Sequence, residues 1–172
     1  ELLLEVIDVD EPRANQREIE LDSSCTTLIA QFEPKAKNLR TILMVLKMNN
    51  DLERMGDHTV NIAESSLSLI NQPMVKRLID LPKMAELTNQ MLANSINSFV
   101  QEDAELAQTV CETDTVIDGL RDQVVRELVT YMVSDSSTIE RSIHLMTIAS
   151  NLERIADLCT NIGEDIVFMV EG

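Results

Sequence analysis

Two stretches that lie 100 residues apart in this 172-residue chain carry nearly the same sequence. Leu52-Glu53-Arg54-Met55-Gly56-Asp57 falls on Leu152-Glu153-Arg154-Ile155-Ala156-Asp157. The match runs on through Asn61-Ile62 with Asn161-Ile162 and Glu64 with Glu164, which makes 7 identities in 13 positions. The same ungapped offset places Glu18 on Asp118, Asp22 on Asp122 and Leu28 on Leu128, so the segment before the motif repeats as well. A chain built this way folds as two copies of one helical unit. An offset without gaps also predicts that 14–72 and 114–172 superpose as equivalent pairs with loops of one length.

The repeated unit is helical. Gly and Pro number 4 each, about half their average usage, which leaves too few turn-makers for sandwiches, barrels or glycine-rich nucleotide loops. Apolar residues recur at spacings of three and four in every long segment, and no segment alternates as a strand would. Asp10-Glu11-Pro12 predicts a helix start for a run to about Phe32, and Glu33-Pro34 ends it. Further helices are expected over about 36–71, 81–101, 104–133 and 138–170, with Asp80 as an N-cap and Ser134-Asp135-Ser136-Ser137 as the last turn. The fold class is therefore all-α, a tandem repeat of two three-helix bundles, with copies at 1–72 and 73–172. In the first copy the helix matching 81–101 would precede residue 1, and Glu1 to Asp8 reads as its remnant. The first bundle thus lacks most of its first helix, and either a longer native protein or another element is expected to fill the groove left open.

Charge narrows the function. The net charge is −16, with −6 over 1–72 and −10 over 73–172, which is the wrong sign for displacing phosphate counterions from nucleic acid. With only four aromatic residues, Phe32, Phe99, Tyr131 and Phe168, there is also little to stack on bases, and the core must be aliphatic and methionine-rich. Cys25, Cys111 and Cys159 form no C-x-x-C, so neither a zinc knuckle nor a disulfide framework is indicated and free thiols in a reducing cytosol fit best. No apolar run approaches the roughly 18 residues that cross a bilayer, so no membrane insertion is expected.

The chemistry-bearing feature is a set of carboxylate stripes. On a helix, residues four apart share a face, so Glu53 and Asp57 point together, as do Glu153 and Asp157. The preceding helices add Glu18 and Asp22 in one copy and Asp114, Asp118 and Asp122 in the other. The core stripe of the last helix is Leu152, Ile155, Ala156, Cys159, Ile162, Gly163 and Ile166, which places its acids on the exposed side or at a groove edge. Each like-charge pair destabilises a helix by roughly 0.2–0.5 kcal/mol, and a bound cation reverses that sign. Clustered carboxylates without cysteine suit Mg²⁺, Mn²⁺, Ca²⁺ or iron, with Asn61 and Asn161 as further oxygen donors. One such stripe alone would read as an ordinary solvated helix face. Its recurrence with the same flanking Arg, Asn and Glu is what favours a site. Arg54 and Arg154 are expected to pair with nearby carboxylates or to meet a partner; His58 has no counterpart, since position 158 is Leu.

At Asp51 to Asp57 and Asn151 to Asp157 the chain resembles the PhoU family of phosphate-uptake regulators, built from two tandem three-helix bundles that each carry an E/D-x-x-x-D motif. The Leu81-Pro82-Lys83-Met84 start of a bundle and the Thr130-Tyr131-Met132 stretch to Asp135 are similar as well. The resemblance implies a cytoplasmic, non-enzymatic regulator. It would bind divalent or transition metal ions (Mg, Mn, Fe or Zn) and repress the phosphate-starvation response. Its implied partners are the ATPase of the phosphate ABC transporter and a sensor histidine kinase, with a homodimer left open. Carried over, the metal positions are Glu53, Asp57, Glu153 and Asp157, and more weakly Glu18, Asp22, Asp118 and Asp122. Two other classes compete. A structural helical adaptor would keep its acidic faces solvated. A di-iron carboxylate enzyme would need Glu-x-x-His pairs, whereas Glu140 and His144 are four apart.

Overall fold

A computed structural model describes residues 1–171, and among them there is no strand. The chain begins with one continuous helical rod: α1 (Leu2–Glu5), a π turn (Val6–Asp10) and α2 (Glu11–Phe32). It continues as α3 (Lys37–Leu69), α4 (Asp80–Gln101), α5 (Ala104–Ser134), a 3₁₀ turn (Ser136–Thr138) and α6 (Ile139–Glu171). The rod corrects two expectations. Pro12 does not open the helix, and Glu1 to Asp8 is no remnant of a separate helix but the first turns of the helix that pairs with α3. The π turn explains how the proline is tolerated. Pro12 has no N–H to give the carbonyl four residues back, and the N–H of Glu11 reaches Val6 in the wider i→i+5 register just ahead of it. Asp80 likewise is the first residue of α4 rather than its cap, and its carboxylate is engaged by Lys76.

The two interhelical loops have the same length, residues 33–36 and 135–138, as the ungapped repeat requires. Their conformations differ. Pro34 drives the residue before it out of the helical region, so α2 stops at Phe32, and Glu33 and Ala36 sit at positive φ of 44° and 49°. In the second copy Ser134 is still helical, and the Asp135 carboxylate accepts from the Ser137 N–H at 2.9 Å, closing the 3₁₀ turn. Ala36, at φ 49° and ψ −117°, occupies a region suited to glycine. Replacing Ala36 by Gly is therefore expected to stabilise the protein by about 1 kcal/mol, seen as a higher urea midpoint with unchanged slope. A lower midpoint would show that the loop holds no such strain.

Packing is uneven between the copies. In the second, α4 covers α5 and α6, and Met84, Met91, Ile117, Leu128, Ile162 and Ile166 are fully buried. Every member of the expected core stripe of α6 is buried. Gly163 lets α6 approach α5 closely: a Cβ there would stand 3.0 Å from the Ala107 carbonyl oxygen and 3.2 Å from Cys111 Sγ. In the first copy α3 buries Met44, Met48 and Met55 in the shared core cluster, while α2 buries only Cys25. The repeat-equivalent pair Leu28 and Leu128 shows the contrast, at 45% and 0% exposure. An α4-like cover lies over the second position alone among the described residues.

Candidate functional site

The antiparallel pairing of α5 with α6 sets the second copy's carboxylates against each other. Asp114 and Asp118 on α5 act electrostatically on Glu153 and Asp157 on α6. Burial is the first cause of the result, and the three neighbouring acids add to it: the Asp114 carboxyl is raised to about 6. Glu153 is also raised, by burial and then by Asp157 and Asp118, against the opposing charges of Arg121 and Arg154. Asp157 is raised by burial and then by Asp118. The Oδ1 atom of Asp114 is buried and has no hydrogen-bond partner.

The first copy repeats this arrangement in weaker form. Glu53 is raised by burial first, then by Asp57, Glu18 and Glu11. Position 14 is Ala where the second copy has Asp114, so the most perturbed acid of the second group has no counterpart. Six of the eight expected residues thus fall into two groups, Glu18 with Glu53 and Asp57, and Asp118 with Glu153 and Asp157. Asp22 and Asp122 lie outside them. Asp122 accepts from Arg121 Nη1 at 2.9 Å, and the charge of Asp22 bears on Cys25 instead. Asp114, not among the positions carried over from the resemblance, joins the second group. Its place on one i,i+4 line with Asp118 was the available signal, masked by Ala14 at the repeat-equivalent position.

The remaining polar candidates have other roles. His58 Nδ1 lies 2.9 Å from Asn151 Oδ1, and Asn61 Nδ2 donates to the same oxygen at 3.4 Å. Asn151 Nδ2 in turn donates to the Thr147 carbonyl at 2.8 Å, so this network joins α3 to α6 across the seam between the copies. Arg54 stands 3.7 Å from Asp51 on its own helix. Cys25 and Cys159 are buried and Cys111 is half-buried, all free thiols; burial pushes Cys159 up to about 12. They are packing residues, not nucleophiles.

The donor chemistry of the two groups fits a hard cation: carboxylate oxygens alone, raised pKa at Glu53, Asp114, Glu153 and Asp157, and one buried oxygen without a partner. In their present rotamers no three His, Cys, Asp or Glu side chains among the described residues converge enough to hold a metal ion. Coordination would need the carboxylates to turn inward, toward the charge whose absence keeps them repelled.

Comparison with known proteins agrees with this architecture. The PhoU domain model matches residues 1–66 and 81–166. The chain is 38% identical over 172 residues to the phosphate-specific transport system accessory protein PhoU homolog of Aquifex aeolicus, spanning 100% of this chain and 77% of that one. It is 34% identical over 172 residues to the homolog of the same description from Deinococcus radiodurans, spanning 100% of this chain and 80% of that one. The crystal structure of PhoU from Pseudomonas aeruginosa aligns with a TM-score of 0.94 at 30% identity, covering 99% of this chain and 82% of that one. The phosphate transport system regulatory protein PhoU from Streptococcus pneumoniae aligns at 0.88 and 28%, covering 97% and 78%.

Proposed function

The chain belongs to the PhoU family, and from that premise we propose that it is a metal-binding regulator of phosphate uptake. In this reading it acts in the cytoplasm without catalysing a reaction. It meets the ATPase of the phosphate ABC transporter and a sensor histidine kinase, and it holds the phosphate-starvation response off when phosphate is ample. The observation that carries the metal role is the doubled carboxylate group on facing helices, with Asp114 Oδ1 buried and unpartnered in one of them. Glu18, Glu53 and Asp57 would hold the cation in the first copy, and Asp114, Asp118, Glu153 and Asp157 in the second. A bound cation supplies positive charge that lowers the raised pKa values and clamps α2 to α3 and α5 to α6. Asp22 and Asp122, outside the coupled groups, contribute at most to the surrounding field.

One observation favours a second reading, a helical adaptor whose acidic faces stay solvated: no three donors converge among the described residues. Thermal melts of wild type and Asp157→Asn, each in EDTA and in excess Mn²⁺, separate the two. The metal role predicts opposite responses. The variant gains some tenths of a kcal/mol without metal, because a like-charge pair is relieved, and loses part of the stabilisation that Mn²⁺ gives the wild type. Equal shifts in both conditions would leave the acids as solvated faces or partner contacts. For the partner, co-purification of the chain with the transporter ATPase should weaken when Mn²⁺ is removed, and a complex indifferent to metal would detach the two halves of the proposal.

A further inference from the structure

The segment that joins the two copies, residues 70–79, contains no helix, and none of its residues is buried. Its backbone makes two turn hydrogen bonds, Ile70 to Leu67 and Gln72 to Leu69, both at the end of α3. Val75 packs against the core from a half-buried position. Such a segment has little apolar burial to hold it, and segments of that kind open locally at small free energy unless something fastens them.

Two cations do so. Lys76, with its side chain 9% exposed, donates from Nζ to Asp80 Oδ2 at 3.3 Å and to Glu127 of α5. Arg141 of α6 donates from Nη1 to the Pro73 carbonyl at 2.6 Å and from Nη2 to the Ser137 carbonyl at 2.9 Å. Both side-chain fastenings run to the second copy, Lys76 to Asp80 of α4 and Glu127 of α5 and Arg141 of α6 to Pro73, while only the first residues of the segment bond back to the end of α3. Beneath it lies a cavity of about 100 Å³ lined by Leu69, Pro73, Met74, Val75, Leu78 and Leu145.

We propose that residues 70–79 form a clasped strap, a unit that opens over this cavity without unfolding the helices, held shut by Lys76 and Arg141. Ionic and charge-assisted contacts dominate its closure, so its opening responds to salt where the aliphatic core does not. Glu127, with a side chain 40% exposed, is the half of the clasp that can be removed without leaving a cavity.

Trypsin reads the strap directly, because Lys76 and Arg77 lie within it. With the full chain at low salt, cleavage after these two residues is slow. Glu127→Gln raises that rate roughly tenfold, since cleavage of a transiently opened segment tracks its opening equilibrium. About 1 M NaCl raises the wild-type rate similarly and raises the variant's by a smaller factor, since the variant keeps only the Lys76–Asp80 pair and the Arg141 contact; a free peptide spanning 70–80 corrects for the effect of salt on the protease. Arg141→Gln should act in the same direction through the other fastening. Thermal midpoints of both variants stay within about 2 °C of wild type, as for a change outside the global core. Two results overturn the strap: cleavage of Glu127→Gln at the wild-type rate, or acceleration that only follows a lowered thermal midpoint.

Discussion

Leu128→Ala will cost about 3 to 4 kcal/mol of stability, and Leu28→Ala, at the repeat-equivalent position, less than about 1 kcal/mol. The substitutions delete the same atoms from helices of the same repeat, so propensity and transfer terms nearly cancel between them. The difference lies in what surrounds each side chain. Leu128 is at 0% exposure in the core cluster under α4, and its removal leaves a cavity that the neighbouring helices cannot fill. Leu28 is 45% exposed beside Phe32 and Pro34, where water replaces what is lost. Urea titrations at one pH measure both. Comparable losses would mean that the face of α2 is covered in solution by an element outside the described residues, and a small loss at Leu128 would contradict the packing of α4.

Without metal, the protein should grow less stable as pH rises from about 4 to about 7, and Asp114→Asn should remove much of that slope. Asp114 is raised to about 6 in the fold, by burial first and then by Asp118, Asp157 and Glu153. The unfolded chain titrates it near 3.9. Across that window the folded state binds more protons than the unfolded one, so the stability this group contributes is complete below about 4 and is lost as pH passes 6. Two pKa units correspond to almost 3 kcal/mol at most. Asp114 is only half-buried, and solvent screening brings the expected loss to about 1 kcal/mol. Glu53, Glu153, Asp157 and Asp51 are raised too and push in the same direction, whereas Asp135, lowered by its bonds to Ser137, opposes them. Urea midpoints in EDTA at pH 4.5 and 7.5 test the sign. The expectation fails if Asp114→Asn loses as much between those two values as the wild type. Excess Mn²⁺ should flatten the wild-type slope as well, since a cation among the carboxylates favours their charged forms.

Local rules made much of this molecule legible in advance. The spacing of apolar residues identified the helices and a core stripe on α6 whose seven members are all buried, because that stripe depends only on the 3.6-residue period and on one face being covered; Leu145, Ala149, Asn151 and Leu158, buried as well, answer to neighbouring helices. The i,i+4 pairs Glu53 with Asp57 and Glu153 with Asp157 follow from the same period, and the ungapped offset foresaw loops of equal length. Terminal signals were less dependable. Asp10-Glu11-Pro12 carries every mark of a helix start, yet a π turn lets the helix run through it, an outcome that no count of capping residues anticipates.

Relations between helices were another matter, since they depend on how far each helix is rotated about its axis and where it crosses its neighbour. Asp114, Asp118 and Asp122 are indistinguishable along α5. The close approach of α6 at Gly163 and the burial of Ile117 turn Asp114 inward and leave Asp122 to Arg121. His58 could not be assigned from its own helix, and its partner, Asn151, is 93 residues away on α6. Leu28 and Leu128 occupy one repeat position yet differ completely in burial, because α4 packs on one copy alone among the described residues. Periodicity fixes which residues share a face; which faces meet, and so which acids repel or share a cation, is settled by side-chain volumes at helix crossings, a property of pairs of segments that neither segment encodes alone.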